Sequence, residues 1–269
     1  MTRASQPSLH PAGIAFDAIA EVFDARFGSW LSVAAQRRAV YDELIRAFPR
    51  GSRLLEIGGG TGIDAAWLTA RDRSVLLTDA SPTMVRLAAR KLGEGTAVAV
   101  AAEELDLSYC DGRPFDGAFS NFAALNCVTD LRPVGANLAQ MIRPGGRLVL
   151  VVFGCCCPAE IIVEIARGRF GNAFRRFRRG HVPTKIGEHH FSVRYHTRGD
   201  ISTALAPWFK QSARRAIGLF VPPSAAEPWI SAHPRLLSAF EAVDRRLSRP
   251  FAAFGDHVLY VFERSAEKG

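Results

Sequence analysis

The sequence predicts an α/β protein: a seven-stranded, mainly parallel sheet with helices on both faces, an antiparallel last strand and helical cap insertions. Three observations predict it. Short apolar strands alternate with helical stretches between residues 53 and 153, the pattern of βαβ units on a parallel sheet. A glycine run stands where the first of these strands meets its helix. A late strand pair, near 211–220 and 257–263, follows after the alternation has stopped.

The elements follow in order. Residues 1–13 are Pro-, Ser- and Gly-bearing without periodicity and read as a loose tail. Phe16, Ile19, Ala20, Phe23 and Phe27 recur at spacings of three and four, which marks one face of a helix. A second helix over 33–48 carries Ala34, Val40, Leu44, Ile45 and Phe48 on its apolar side. Strands are expected at 53–57, 74–78, 96–101, 115–120 and 147–153, and helices at 62–71, 82–92 and 130–142. Ser81 before Pro82 reads as an N-cap and first helical position. Arg143-Pro-Gly-Gly146 ends one helix and turns into the next strand. After residue 153 come a cysteine turn, an Arg-rich helical stretch, a His-rich stretch and a short helix at 199–207. A helix follows with Leu236, Phe240, Val243 and Leu247 on one side. The chain therefore divides into a helical lid (1–52), a core (53–153), an Arg/His-rich cap insertion (154–198) and a part completing the sheet (199–269) with a helical insert at about 224–249.

Composition narrows the function. With 269 residues, 48% hydrophobic and 22% charged, the chain can bury a full core without metals or disulfides. Five cysteines, three of them the run Cys155-Cys-Cys157, suit reduced thiols better than a disulfide framework. The longest largely apolar run, Leu148–Ala159, has 12 residues, whereas a membrane-spanning helix needs about 20. No apolar leader precedes Pro11, so a cytoplasmic protein is expected.

The strongest signal is Leu54-Leu-Glu-Ile-Gly-Gly-Gly-Thr-Gly62. Glycines let a ligand lie against the backbone, and the following helix N-terminus offers free N–H groups. The dinucleotide pattern would place its third glycine at Ile63, which disfavours a dehydrogenase; a P-loop is excluded because no Gly-Lys-Ser/Thr follows. The next strand ends in Asp79, 17 residues past Gly62, where a carboxylate can accept hydrogen bonds from both hydroxyls of a ribose. A glycine loop and a ribose acid without a pyrophosphate loop suit an adenosyl ligand that carries no phosphate.

On Glu56-Ile-Gly-Gly-Gly-Thr-Gly62, Asp79-Ala-Ser-Pro-Thr-Met84, Ala102-Glu-Glu-Leu105, Phe115-Asp-Gly-Ala-Phe-Ser-Asn121 and Arg143-Pro-Gly-Gly146, the chain resembles class I S-adenosylmethionine-dependent methyltransferases with a Rossmann-like core, in their small-molecule, type 11-like branch. The resemblance covers about 50–153 well. It implies S-adenosylmethionine as cofactor, with Gly58, Gly60 and Gly62 along its methionine part and Glu56 meeting its ammonium. Asp79 would bind the ribose, Ala80 and Met84 would lie against the adenine, Ala102 and Glu103 at its edge, and Asn121 at the end of the fourth strand. Relatives often place Asp where this chain has Ala101.

Methyl transfer from a sulfonium is an in-line displacement with a good leaving group, so the protein mainly aligns and shields. A base is needed only for a hydroxyl or protonated amine. His189 and His190, in a stretch that also holds His181 and His196, are candidates, beside a plain solvated loop and a metal site with Cys155–Cys157. That spacing matches no zinc pattern, and no metal is expected. Asn126 either faces the acceptor or caps a helix, and Phe16 and Trp229 are candidate acceptor-wall residues or simply core. Residues 154–198 carry six of the eight net positive charges. There Phe170, Phe174 and Phe177 are expected on a core-facing helix side, with Arg167, Arg169, Arg175, Arg176, Arg178 and Arg179 opposite. That face is solvated, or meets an anionic or amphiphilic acceptor, a membrane surface or RNA; nucleic acid is disfavoured because no RNA module is visible. The expected acceptor is a small or amphiphilic metabolite, methylated at O, N, C or S. The alternatives are RNA or protein methylation through the basic segment, and cofactor binding without catalysis.

Overall fold

The computed structural model describes residues 10–266. Three helices open the chain: α1 (Pro11–Asp17), α2 (Ala20–Gly28) and α3 (Leu31–Ala47). The βαβ region supplies β1 (Arg53–Ile57), α4 (Ile63–Thr69), β2 (Ser74–Asp79), α5 (Pro82–Leu92), β3 (Ala97–Ala99), β4 (Phe115–Ser120), α6 (Leu131–Met141) and β5 (Ile142–Phe153). Beyond it lie α7 (Pro158–Ala166), α8 (Phe170–Ala173), β6 (Val182–Ile186), β7 (His189–Val193), α9 (Arg198–Leu205), β8 (Phe209–Ile217), α10 (Pro234–Leu247) and β9 (His257–Arg264).

The seven-stranded sheet has the order β3-β2-β1-β4-β5-β9-β8. Strands β1 to β5 pair in parallel, and β9 runs antiparallel to both β5 and β8. This is the expected fold class. Neighbouring residues of one strand belong to opposite cores, because helices cover both faces. Leu55, Leu148, Leu150 and Phe262 pack with Leu138 of α6 and Ile201 of α9. Leu54, Val149, Val151 and Leu259 pack with Leu44 of α3, Leu68 of α4 and Ala88 of α5. The register opposes Phe153 to His257, so the head of β9 stands at the C-terminal end of β5.

The local signals act as their chemistry requires. The Ser81 hydroxyl accepts from the Met84 amide, with Pro82 in the first turn. Asp130 caps α6, and Thr197 with Asp200 forms a capping box on α9. The Arg143–Gly146 turn lies inside the bounds of β5 as an irregularity in its pairing with β4.

Three expectations need correction. The tail is shorter than 1–13, since α1 begins at Pro11; residues 1–9 lie outside the described residues. The aromatic series Phe16–Phe27 spans two helices that break between Asp17 and Ala20. Phe170, Phe174 and Phe177 do not face the core. They are 62%, 49% and 54% exposed, while Arg176 is buried. The helix stops after four residues, and Arg176 in the following 3₁₀ turn pairs with the buried carboxylates of Glu160 and Asp256. A guanidinium held between two buried acids sets which side of the turn points inward, and the phenylalanines are left on the other side. Separately, the His-rich stretch forms the hairpin β6–β7.

Candidate functional site

The glycine loop is cemented from below. The Gly58 and Gly59 amides donate to the Thr78 carbonyl at 2.8 and 3.0 Å, and the Thr78 hydroxyl donates to the Glu56 carbonyl at 2.9 Å. Gly58 has φ +67°, and a Cβ there would stand 2.3 Å from the Cβ of Ala124. Gly60, at φ +56°, has nothing among the described residues within 4 Å of the place its Cβ would take. Gly60 is thus the position where the loop backbone lies open, and a side chain would both strain it and fill that space. Gly62 caps α4 in the left-handed conformation.

Two carboxylates flank this opening. Asp79, at the end of β2, accepts from the Gly60 amide at 2.8 Å with one oxygen and from the Ser81 amide at 2.9 Å with the other. Burial pushes its carboxyl up, against those amide donors. Glu56 is 1% exposed, and its Oε2 has no hydrogen-bond partner among the described residues. Burial, reinforced by the charge of Asp64, holds its carboxyl well above the ordinary range. An unpartnered buried carboxylate costs several kcal/mol unless it is protonated or meets a cation. The donor set therefore fits a ligand with an ammonium above Glu56, a polar hydroxylated group at Asp79 and a chain along Gly60.

Asp64, in the first turn of α4, had no motif to mark it. It accepts from Arg37 Nη1 at 2.5 Å, Tyr41 OH at 2.9 Å and Asn121 Nδ2 at 2.7 Å. This network ties α3, α4 and the end of β4 together and fixes the Asn121 amide. Asn121 Oδ1 accepts from the Phe122 amide, and Phe122 and Ala123 follow in left-handed conformations. The Phe122 ring lies between the Arg37 guanidinium, 4.8 Å from its centroid, and the His257 ring at 5.6 Å.

The N-terminal helices contact the loop and the start of α5. The Asp17 carboxylate accepts from the Ser81 hydroxyl and the Thr83 amide, both at 2.7 Å. Asp24 of α2 accepts from the Thr61 hydroxyl, inside the loop, and pairs with Lys91 of α5, each at 2.6 Å. Phe16 of α1 lies between Phe23 and Phe191 of the hairpin. Ala80 lies under α1. Glu103 follows buried Ala101 in a 3₁₀ turn with Ala102, and stands 3.8 Å from His10.

Other residues serve elsewhere. Met84 is 1% exposed, a buried side chain of α5. The Asn126 amide is used on backbone, donating to Arg194 O at 2.6 Å and accepting from Phe153 N at 3.0 Å. His189 and His190 are exposed on β7, and Trp229 is 54% exposed with its ring against His233. The Cys157 thiol, Glu160 and Asp256 converge within 4.8 Å. The cation among them is Arg176, which forms ion pairs with both carboxylates. Burial pushes the Cys157 thiol up to about 12, so it stays protonated.

His257 carried no signal beyond its place in an apolar strand. It is buried at the head of β9, stacked on Phe153 at 4.9 Å, with Nδ1 3.4 Å from Asp256 Oδ2. Burial lowers its pKa, with Arg176 acting in the same sense and Asp256 against. A neutral imidazole thus stands beyond Phe122, at the same end of the sheet as the glycine loop.

The sheet order, the glycine loop and the strand-end acid define the class I, S-adenosylmethionine-dependent methyltransferase fold. Residues 55–148 match the family model described as a methyltransferase domain. The demethylmenaquinone methyltransferase of Clavibacter sepedonicus is 31% identical over 146 residues, covering 51% of this chain and 56% of the relative. An O-methyltransferase of Aspergillus nomiae is 32% identical over 106 residues, 38% of this chain and 46% of the relative. The chain thus spans about half the length of the curated relatives it matches. A solved S-adenosylmethionine-dependent methyltransferase from Mesorhizobium loti shares the fold, with a TM-score of 0.54 and 22% identity over 83% of this chain and 97% of that one.

Proposed function

We propose that the protein transfers a methyl group from S-adenosylmethionine to a small or amphiphilic metabolite. The observation that carries this reading is the pair of carboxylates flanking the open Gly60 backbone: Asp79 on its amide and Glu56 with a free buried oxygen. When bound, the cofactor supplies an electrophilic methyl on a sulfonium. Glu56 then holds the ammonium and gains the partner it lacks. Asp79 accepts from the ribose hydroxyls, and Asn121, fixed by Asp64, contacts the cofactor at the end of β4. Helices α1 and α2 exclude water above the loop, latched by Asp17 and Asp24. Ala80, Ala102 and Glu103 border the adenine, and Phe16 walls the lid.

Where the acceptor carries a proton, His257 suits its removal better than His189 or His190, because it is buried and neutral, with Nδ1 3.4 Å from Asp256. The partial relatives, a quinone methyltransferase and an O-methyltransferase by name, support a small acceptor over RNA or protein. Labelled S-adenosylmethionine incubated with cell extract tests the reading. Label is expected in solvent-extractable metabolites; label confined to RNA or protein would favour a macromolecular acceptor, and binding without transfer a non-catalytic role.

A further inference from the structure

We propose that α7, α8 and the Arg175–Phe177 turn form a surface that docks on an anionic lipid bilayer. Ile162, Ile165, Phe170, Phe174 and Phe177 are 68%, 41%, 62%, 49% and 54% exposed within sixteen residues of chain. Isolated exposed apolar residues are ordinary, but a dense group of large ones marks an interaction surface. Elements α7 and α8 pack against each other, which gathers these side chains on neighbouring turns. The Phe174 and Phe177 rings lie 6.3 Å apart, their planes inclined by 28°.

Charge selects the occupant. Arg167, Arg169, Arg178 and Arg179 flank the apolar residues and are exposed, and none has an ion pair among the described residues. The acids of this stretch point the other way: Glu160 and Glu164 are 3% and 5% exposed, and Glu160 is taken by Arg175 and Arg176. The outward face is thus apolar and cationic without a compensating carboxylate among the described residues. A second copy on this face would oppose arginine to arginine. A bilayer with anionic headgroups satisfies both halves, with apolar side chains at the acyl boundary and guanidinium groups among the phosphates. Ile162 and Ile165 are aliphatic and suit acyl chains rather than stacked nucleobases.

The surface begins at Pro158, five residues past the end of β5, and so lies at the end of the sheet that holds the glycine loop. Bilayer contact there would bring an amphiphilic acceptor to the site, a consequence that rests on the methyltransferase reading; the docking itself does not.

The test is co-sedimentation of the full chain with vesicles of phosphatidylcholine alone or mixed with phosphatidylglycerol. Binding is expected to the mixed vesicles, much less to phosphatidylcholine, and to fall as salt is raised. Two variants separate the contributions: Phe170→Ser with Phe174→Ser and Phe177→Ser, and Arg167→Gln with Arg169→Gln, Arg178→Gln and Arg179→Gln. Each should reduce partitioning by on the order of tenfold or more. All seven positions are exposed, and unchanged thermal unfolding confirms the variants are folded. No partitioning into mixed vesicles, or partitioning that both variants retain, overturns the proposal. So does light scattering that shows a dimer dissolved by the same substitutions, or retention of RNA in place of lipid. Failure of S-adenosylmethionine to bind would sink the methyltransferase reading and leave the vesicle result standing.

Discussion

A Cβ on Gly13 would stand 2.8 Å from the carbonyl oxygen of Ala80. Helix α1 therefore rests its backbone directly on the residue that follows the proposed ribose acid, and only glycine permits that approach. Gly13→Val should lift the lid. Overpacking of this kind costs about 1–3 kcal/mol. Thermal unfolding should fall, and S-adenosylmethionine should dissociate faster in stopped-flow measurements. Wild-type dissociation from a folded Gly13→Val protein would mean that α1 does not cover the cofactor.

Asp64 joins three donors from three elements, and its removal leaves Arg37 without its carboxylate. Breaking a buried ion pair from one side typically costs about 3–5 kcal/mol. Urea unfolding of Asp64→Ala should show a loss of that order, with Asp64→Asn less affected. A loss below about 1 kcal/mol would remove the network from the account of stability.

Glu56 predicts a proton linkage. Its carboxyl is held above the ordinary 4.5 by burial first and Asp64 second, so the empty site favours the protonated form as pH rises past that value. This contribution to folding is full below 4.5 and is lost as pH rises through the raised pKa. An ammonium beside Glu56 favours the ionised form. Cofactor binding in that window should release up to about one proton, seen as a dependence of the calorimetric heat on the buffer's ionisation enthalpy. Glu56→Gln should abolish that dependence; identical buffer dependence in the variant would place the proton elsewhere.

His257 predicts a different window. Its folded pKa lies below 6.5, so between the two values the unfolded chain binds more protons. The stability from burying a neutral imidazole is present above 6.5 and is lost as pH falls through the folded pKa. The melting temperatures of wild type and His257→Gln should converge or cross as pH falls through this range. Parallel curves would show that His257 does not titrate there.

The glycine loop and the strand-end acid were legible because their signals are local. Gly58, Gly60, Gly62 and Asp79 are written within one βαβ unit, and the strand fixes where each stands. The capping residues Ser81 and Pro82 were legible for the same reason. Asp64 and His257 were not, since their roles come from partners far along the chain: Arg37 and Asn121 for one, Phe122 for the other. The phenylalanines at 170, 174 and 177 kept a helical spacing that Arg176 overrode through two distant acids. Periodicity reports which side chains share a face, but tertiary ion pairs decide which way that face turns.

Titration calorimetry of the wild type and Asp79→Ala decides whether the Gly58–Gly62 loop and Asp79 bind S-adenosylmethionine. Two charge-assisted hydrogen bonds, each worth about 1.5–3 kcal/mol and partly replaced by water, set the expected loss at roughly 2–4 kcal/mol. One-to-one binding to the wild type is expected, weakened roughly 30- to 700-fold in the variant. No binding to the wild type, or unchanged affinity in a folded Asp79→Ala protein, would contradict it.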